Sequence, residues 1–224
     1  MNQERWTAVD SYIADLMIAP DSALDAVVGR TSAAGLPAIS VSPPQGKMLM
    51  LLAQLQKART ILEIGTLGGY SAIWMARALP ADGRLITLEL DAGHAEVARA
   101  NIEQAGLTGL VEVRVGAALD LLPLLAAERV GPFDMIFIDA DKANMPEYFQ
   151  WAINLSRRGS LIIADNVVRD GCVIEADSTD ASVQGVRRMN ELIAANARVS
   201  ATTIQTVGTK GYDGFAMALV IADA

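Results

Sequence analysis

The run FDMIFIDADKAN, Phe133 to Asn144, places two carboxylates and an ammonium directly behind an apolar stretch that reads as a buried strand. They are Asp139, Asp141 and Lys142. A second apolar run, LIIADNVV, ends in the same way with Asp165 and Asn166. If the two strands are neighbours, Asp139, Asp165 and Asn166 converge from adjacent strand ends. Three oxygens with no sulfur or imidazole suit a hard divalent cation, Mg2+ foremost and Ca2+ or Mn2+ besides, with positions left for water and substrate. Two carboxylates at one rim repel each other unless a cation or a proton separates them. Taken singly, each acid could instead cap the helix that follows it. Lys142 could likewise pair with Glu147 on the next helix.

A third constellation is ILEIGTLGGYS, which puts Glu63, Gly65, Gly68 and Gly69 where a first strand turns into a helix, so that bare backbone can approach a ligand. The turn reads G-x-x-G-G, with Leu67 where a dinucleotide fingerprint has its second glycine. Pyrophosphate is disfavoured. Glu89 closes the second strand, at the place where an acid accepts both hydroxyls of a ribose. With acidic Glu63 beside the loop, a cationic ligand is favoured over a phosphate, and the combination points to an adenosine-bearing sulfonium. The other reading is that the glycines merely turn the chain and Glu89 caps a helix.

These residues need a scaffold that brings strand ends together. Short β-rich runs (TILEI, RLITLEL, VEVRV, MIFID, LIIAD) alternate with helical patterns, which is the signature of a parallel sheet with crossover helices. The helical stretch MPEYFQWAINLSRRG is expected to run from Pro146 in its first turn to Gly159. ATTIQTVG and GFAMALVI, separated by GTKGYDG, predict an antiparallel C-terminal edge. ERWTAVDSYIADLMIA and PPQGKMLMLLAQLQKA read as two helices ahead of the first strand. The expected fold is α/β, a doubly wound sheet of seven strands, mostly parallel. One domain spans residues 1–224, with 1–58 covering the active site and 59–224 forming the cofactor-binding core.

At 224 residues and 52% hydrophobic content the chain can bury a full core. Acidic residues punctuate the first thirty positions, so neither a signal peptide nor a membrane span is expected and a cytoplasmic location is. One cysteine, Cys172, excludes an internal disulfide, and one histidine, His94, leaves too few soft ligands for zinc. His94 reads as an exposed or capping residue, and Trp74 and Trp151 as packing. A net charge of −8 repels polyanions and disfavours nucleic acid as a partner.

LEIGTLGGYS, FIDADKANMPEYF and ADNVVRDG together resemble the cation-dependent O-methyltransferases that include the caffeoyl-CoA and catechol O-methyltransferases. The resemblance runs from about Val41 to the C-terminus. It implies a Rossmann-like class I methyltransferase using S-adenosylmethionine, with Glu63, Gly65, Ser71, Glu89, Ala118 and Asp141 matching cofactor contacts. Val41 stands where the family commonly has threonine, which leaves a contact through its backbone. The resemblance also implies Asp139, Asp165 and Asn166 as metal ligands, Lys142 as the catalytic base and a homodimer. The N-terminal arm lacks the Lys and Arg cluster that would grip a CoA tail, so the expected acceptor is a small catechol-like aromatic diol. The alternative is the same chemistry on a hydroxylated nucleoside in transfer RNA. TVGTKGYDGFAMALV departs from the family's P-x-G-D-G turn. Arg169, Asp170 and Cys172, in the loop after Asn166, are candidates for the substrate pocket.

Overall fold

Strand β1 (Thr60–Ile64) lies inside a seven-stranded sheet, beside the central strand β4 (Phe133–Ile138); the other strands are β2 (Arg84–Glu89), β3 (Val111–Val115), β5 (Ser156–Asp165), β6 (Val199–Gly208) and β7 (Gly211–Val220). The computed structural model describes residues 2–223. Spatial order is β3-β2-β1-β4-β5-β7-β6; both pairings of β7, with β5 and with β6, are antiparallel and the rest are parallel. This is the expected doubly wound sheet with its antiparallel edge, and the order reverses between β1 and β4, where such folds bind ligands. Central strands buried on both faces read as continuous apolar runs. In β4, Met135, Ile136, Phe137 and Ile138 are wholly buried, each contributing roughly 1.5–3 kcal/mol.

Among the described residues eight α-helices flank the sheet: α1 (Gln3–Met17), α2 (Ser22–Ala33), α3 (Pro43–Leu55), α4 (Tyr70–Ala76), α5 (Ala92–Gln104), α6 (Ala118–Ala127), α7 (Met145–Asn154) and α8 (Ala181–Ala195). One face of the sheet packs a core with residues of α2 to α5, and the other a core with residues of α6 to α8. No helix among the described residues is long and apolar enough to cross a membrane.

Two expectations are corrected. Three helices precede β1, not two: α2 is held by an Asp21 cap on the Ala23 and Leu24 amides, an Asp21–Arg77 ion pair to α4, and Arg30 donating to Asn101 on α5. Most of that support is tertiary, and local periodicity does not carry it. Helix α7 stops at Asn154, and Arg157 to Gly159 already belong to β5. Gly159, at φ +93°, marks a bend inside the strand's first half rather than a helix end; Ser160 Oγ there donates to the Phe133 carbonyl.

Candidate active site

Register decides which side chains meet. Ile64 pairs with Leu88 on one side and Ile138 on the other, and Ile138 pairs with Ala164. The next residues, Gly65, Glu89, Asp139 and Asp165, therefore emerge level at one rim. Gly65 must be glycine twice over: its φ is +99°, and a Cβ there would lie 2.3 Å from the Asp139 carbonyl oxygen. Glu89 fixes the turn that follows, its Oε2 accepting from the amides of Thr66 (3.2 Å) and Leu67 (2.8 Å) and its Oε1 from that of Asp91 (2.9 Å).

Glu63 lies beneath this turn with no exposure at all. Its two oxygens accept from Ser71 Oγ (2.5 Å) and Thr87 Oγ1 (2.6 Å), and Thr87 in turn contacts Thr66 Oγ1. Burial pushes the Glu63 carboxyl up to about 8, against the lowering effect of those two hydroxyls.

At the second rim segment, Lys142 Nζ donates to Asp139 Oδ1 at 2.8 Å, rather than taking the alternative partner Glu147. Asp165 is 5% exposed; its Oδ1 accepts from the Asn166 amide (2.9 Å) and its Oδ2 from Gln45 Nε2 (2.7 Å). Burial first, then the Asp139 charge, raises the Asp165 carboxyl above the usual carboxylate range. Asn166 sits at φ +57°, and Arg169 and Asp170 each at +55°. Asp213, from the start of β7, holds this loop: its Oδ1 accepts from the amides of Val168 (2.9 Å), Arg169 (3.0 Å) and Gly214 (2.9 Å). The Asp–Gly step of GTKGYDG is thus the loop's anchor despite the altered residues before it.

Two cavities meet at this rim. The first, about 620 Å3, is lined by Val41, Gly65, Ser71, Glu89, Ala118, Asp139, Asp141 and Lys142, among others, and is of the size that small cofactors occupy. His94 lines it as well, with Nδ1 3.7 Å from Glu89 Oε1. Glu63 is not on its wall and reaches it through Ser71 and, by way of Thr87, through Thr66. Asp141 is there, with its carboxylate already taking donors from Tyr148 and Asn144. The second cavity, about 470 Å3, has an apolar side of Ile39, Pro44, Met48 and Phe215, and a polar side that includes Gln45, Asp165 and Asp170. Asn166 and Arg169 line both. Cys172 lines neither, and Trp74 and Trp151 pack in the cores.

The donor set fits a hard cation: Asp139 on one side of the seam, Asp165 on the other and the Asn166 amide on both. Among the described residues no group of three or more His, Cys, Asp or Glu side chains could hold a metal ion; a cation here would take the Asn166 side-chain oxygen as its third donor. Asp165, buried beside a second carboxylate, is the group that a cation would relieve. Gln45 and Asp213 escaped sequence reasoning. Gln45 carried a signal, a polar residue in the first turn of an apolar helix, whereas Asp213 looked like turn punctuation.

Sheet order, glycine turn and acidic β2 terminus together define the class I methyltransferase fold. The chain belongs to the O-methyltransferase family, whose model matches residues 18–220. It is 59% identical over 220 residues to the catechol O-methyltransferase of Niastella koreensis, covering 98% of this chain and 100% of that protein. Among solved structures, the O-methyltransferase from Bacillus cereus in complex with SAH superposes with a TM-score of 0.97 at 60% identity, over 98% of this chain and 100% of that one. TomG from Streptomyces achromogenes, an O-methyltransferase of tomaymycin synthesis in complex with SAM, gives 0.96 at 54%, covering 99% and 100%.

Proposed function

We propose that this chain transfers the methyl group of S-adenosylmethionine to one hydroxyl of a small catechol-like diol, with a divalent cation held by Asp139, Asp165 and Asn166. The observation that carries the reading is the placement of these three oxygens on the seam between a cofactor-sized cavity and a half-apolar second one. Relatives described as catechol O-methyltransferase, or seen with SAM or SAH, support it.

In this reading Gly65, Ser71, Glu89, Ala118 and Asp141 hold the donor in the first cavity, and Val41 contacts it through its backbone. Glu63 contributes from below, through Ser71. When bound, the sulfonium supplies the methyl group and the cation supplies Lewis acidity toward vicinal oxygens. Ile39, Pro44, Met48 and Phe215 seat the aromatic ring in the second cavity, and Arg169 and Asp170 border it. Lys142 Nζ, beside Asp139, would receive the proton of the reacting hydroxyl as the neutral amine, its own ammonium proton having first left to solvent. Since a cationic sulfonium and an anionic oxygen neutralise each other in the transfer, alignment is the main gain, with effective molarities of at least ~10⁵ M attainable.

The whole chain acts as one domain in this reading, α1 to α3 covering the site. A second copy would bury the exposed apolar face of α1 (Val9, Tyr12, Leu16, Met17) and the open edge of β6, giving a cytoplasmic homodimer. The test is methyl transfer from S-adenosylmethionine to a panel of vicinal-dihydroxy aromatics with Mg2+ and again with EDTA, read as S-adenosylhomocysteine release. Release that needs both metal and diol is expected. Turnover of a diol undiminished by EDTA would remove the cation from the reaction, and no turnover of any diol would overturn the acceptor class.

A further inference from the structure

Gln45 belongs to none of the constellations that define the family, yet its side chain makes a direct contact with the metal-binding cluster. Its Nε2 donates to Asp165 Oδ2 at 2.7 Å across 120 positions of sequence. The opposite oxygen, Oδ1, is taken by the Asn166 amide at 2.9 Å. With one protein donor on each oxygen, the Asp165 carboxylate, itself 5% exposed, has its plane fixed.

The support behind Gln45 is stiff. It stands in the first turn of α3, its amide facing the Ser42 Oγ cap at 3.4 Å, with Pro43 opening the helix. The next residue, Gly46, is pressed so close to α4 that a Cβ would sit 2.3 Å from Trp74 Cδ1. Helix α3 cannot slide toward or away from α4 without opening or crushing this contact.

We propose that Gln45 is a positioning residue that orients the Asp165 carboxylate toward the divalent cation, so that the N-terminal helices complete the metal site and do more than cover it. The inference rests on the metal part of the function proposed above. Partners that orient a ligand are worth about 10–100-fold in metal affinity.

The experiment is isothermal titration of Mg2+ into full-length protein saturated with S-adenosylhomocysteine, comparing wild type with Gln45→Met, of similar length without the donor, and Gln45→Asn, which keeps an amide that cannot reach. Both variants should bind Mg2+ about 10–100-fold more weakly, with S-adenosylhomocysteine affinity and melting temperature unchanged and the KM for metal raised in parallel. Wild-type Mg2+ affinity in a folded variant would overturn the inference alone. An equal loss of S-adenosylhomocysteine affinity would show general disruption and overturn it too. A wild-type protein that binds no Mg2+, Mn2+ or Ca2+ would remove the metal reading itself. If Gln45→Met fails to fold, Gln45→Asn decides.

Discussion

Lys142 and Glu63 show how the same rim can use charge in two ways. Lys142 lines the first cavity and is close enough to Asp139 to be held there. Lys142→Ala should lower kcat by ~10²–10⁴, the usual value of a positioned acid or base, while leaving the dissociation constant of S-adenosylhomocysteine unchanged by calorimetry. An unaltered kcat with diol would exclude it as the base. Glu63 is different, because it has no solvent exposure. Its folded carboxyl is raised to about 8 from 4.5 by burial, so the unfolded chain gives up this proton first as pH rises. The stability it contributes is complete below about 4.5 and is lost as pH climbs toward 8. Urea midpoints of ligand-free protein between those limits should fall with pH in the wild type and fall less steeply in Glu63→Gln. Parallel slopes would mean that Glu63 stays ionised in the fold.

At the scale of elements, the loop after β5 is held in place from β7. Asn166, Arg169 and Asp170 occupy left-handed backbone, which costs of order 1–3 kcal/mol per residue when nothing compensates. Asp213 compensates by collecting two of the loop's amides, those of Val168 and Arg169, together with that of its neighbour Gly214, on one oxygen. Asp213→Ala orphans those donors, a loss of about 1–3 kcal/mol or more, at roughly 2–4 °C per kcal/mol for a domain of this size. Thermal denaturation should therefore show a drop of several degrees, and Asp213→Asn, which retains an acceptor oxygen, should recover much of it. Equal melting temperatures for Asp213→Ala and wild type would refute the anchor. The same scale explains the two misread elements. Helix α2 has modest periodicity, and α7 ends where Leu155 and Ser156 turn into a strand without a helix-stopping residue.

For the whole molecule, a net charge of −8 opposes any long polyanionic partner. Fluorescence anisotropy of labelled transfer RNA at low salt should show no saturable binding. Tight binding that weakens steeply with added salt would move the acceptor from a small diol to a hydroxylated nucleoside.

The sequence by itself determined the sheet, its reversal point and the identity of the rim residues. Apolar strands of fixed length that stop at Ile64, Ile138 and Ala164 leave Gly65, Asp139 and Asp165 no place but the rim, because parallel register sets strand ends level. Only the tertiary structure decided what those residues touch. Gln45 meets Asp165, Asp213 meets Val168 and Arg169, and Asp21 meets Arg77 across separations of 120, 44 to 45 and 56 residues. Neither helical nor strand periodicity encodes partners at such distances, since each reports only which face of its own element is buried. Which polar side chains find each other follows from how helices α1 to α4 and strand β7 close over the rim, and that is settled by packing.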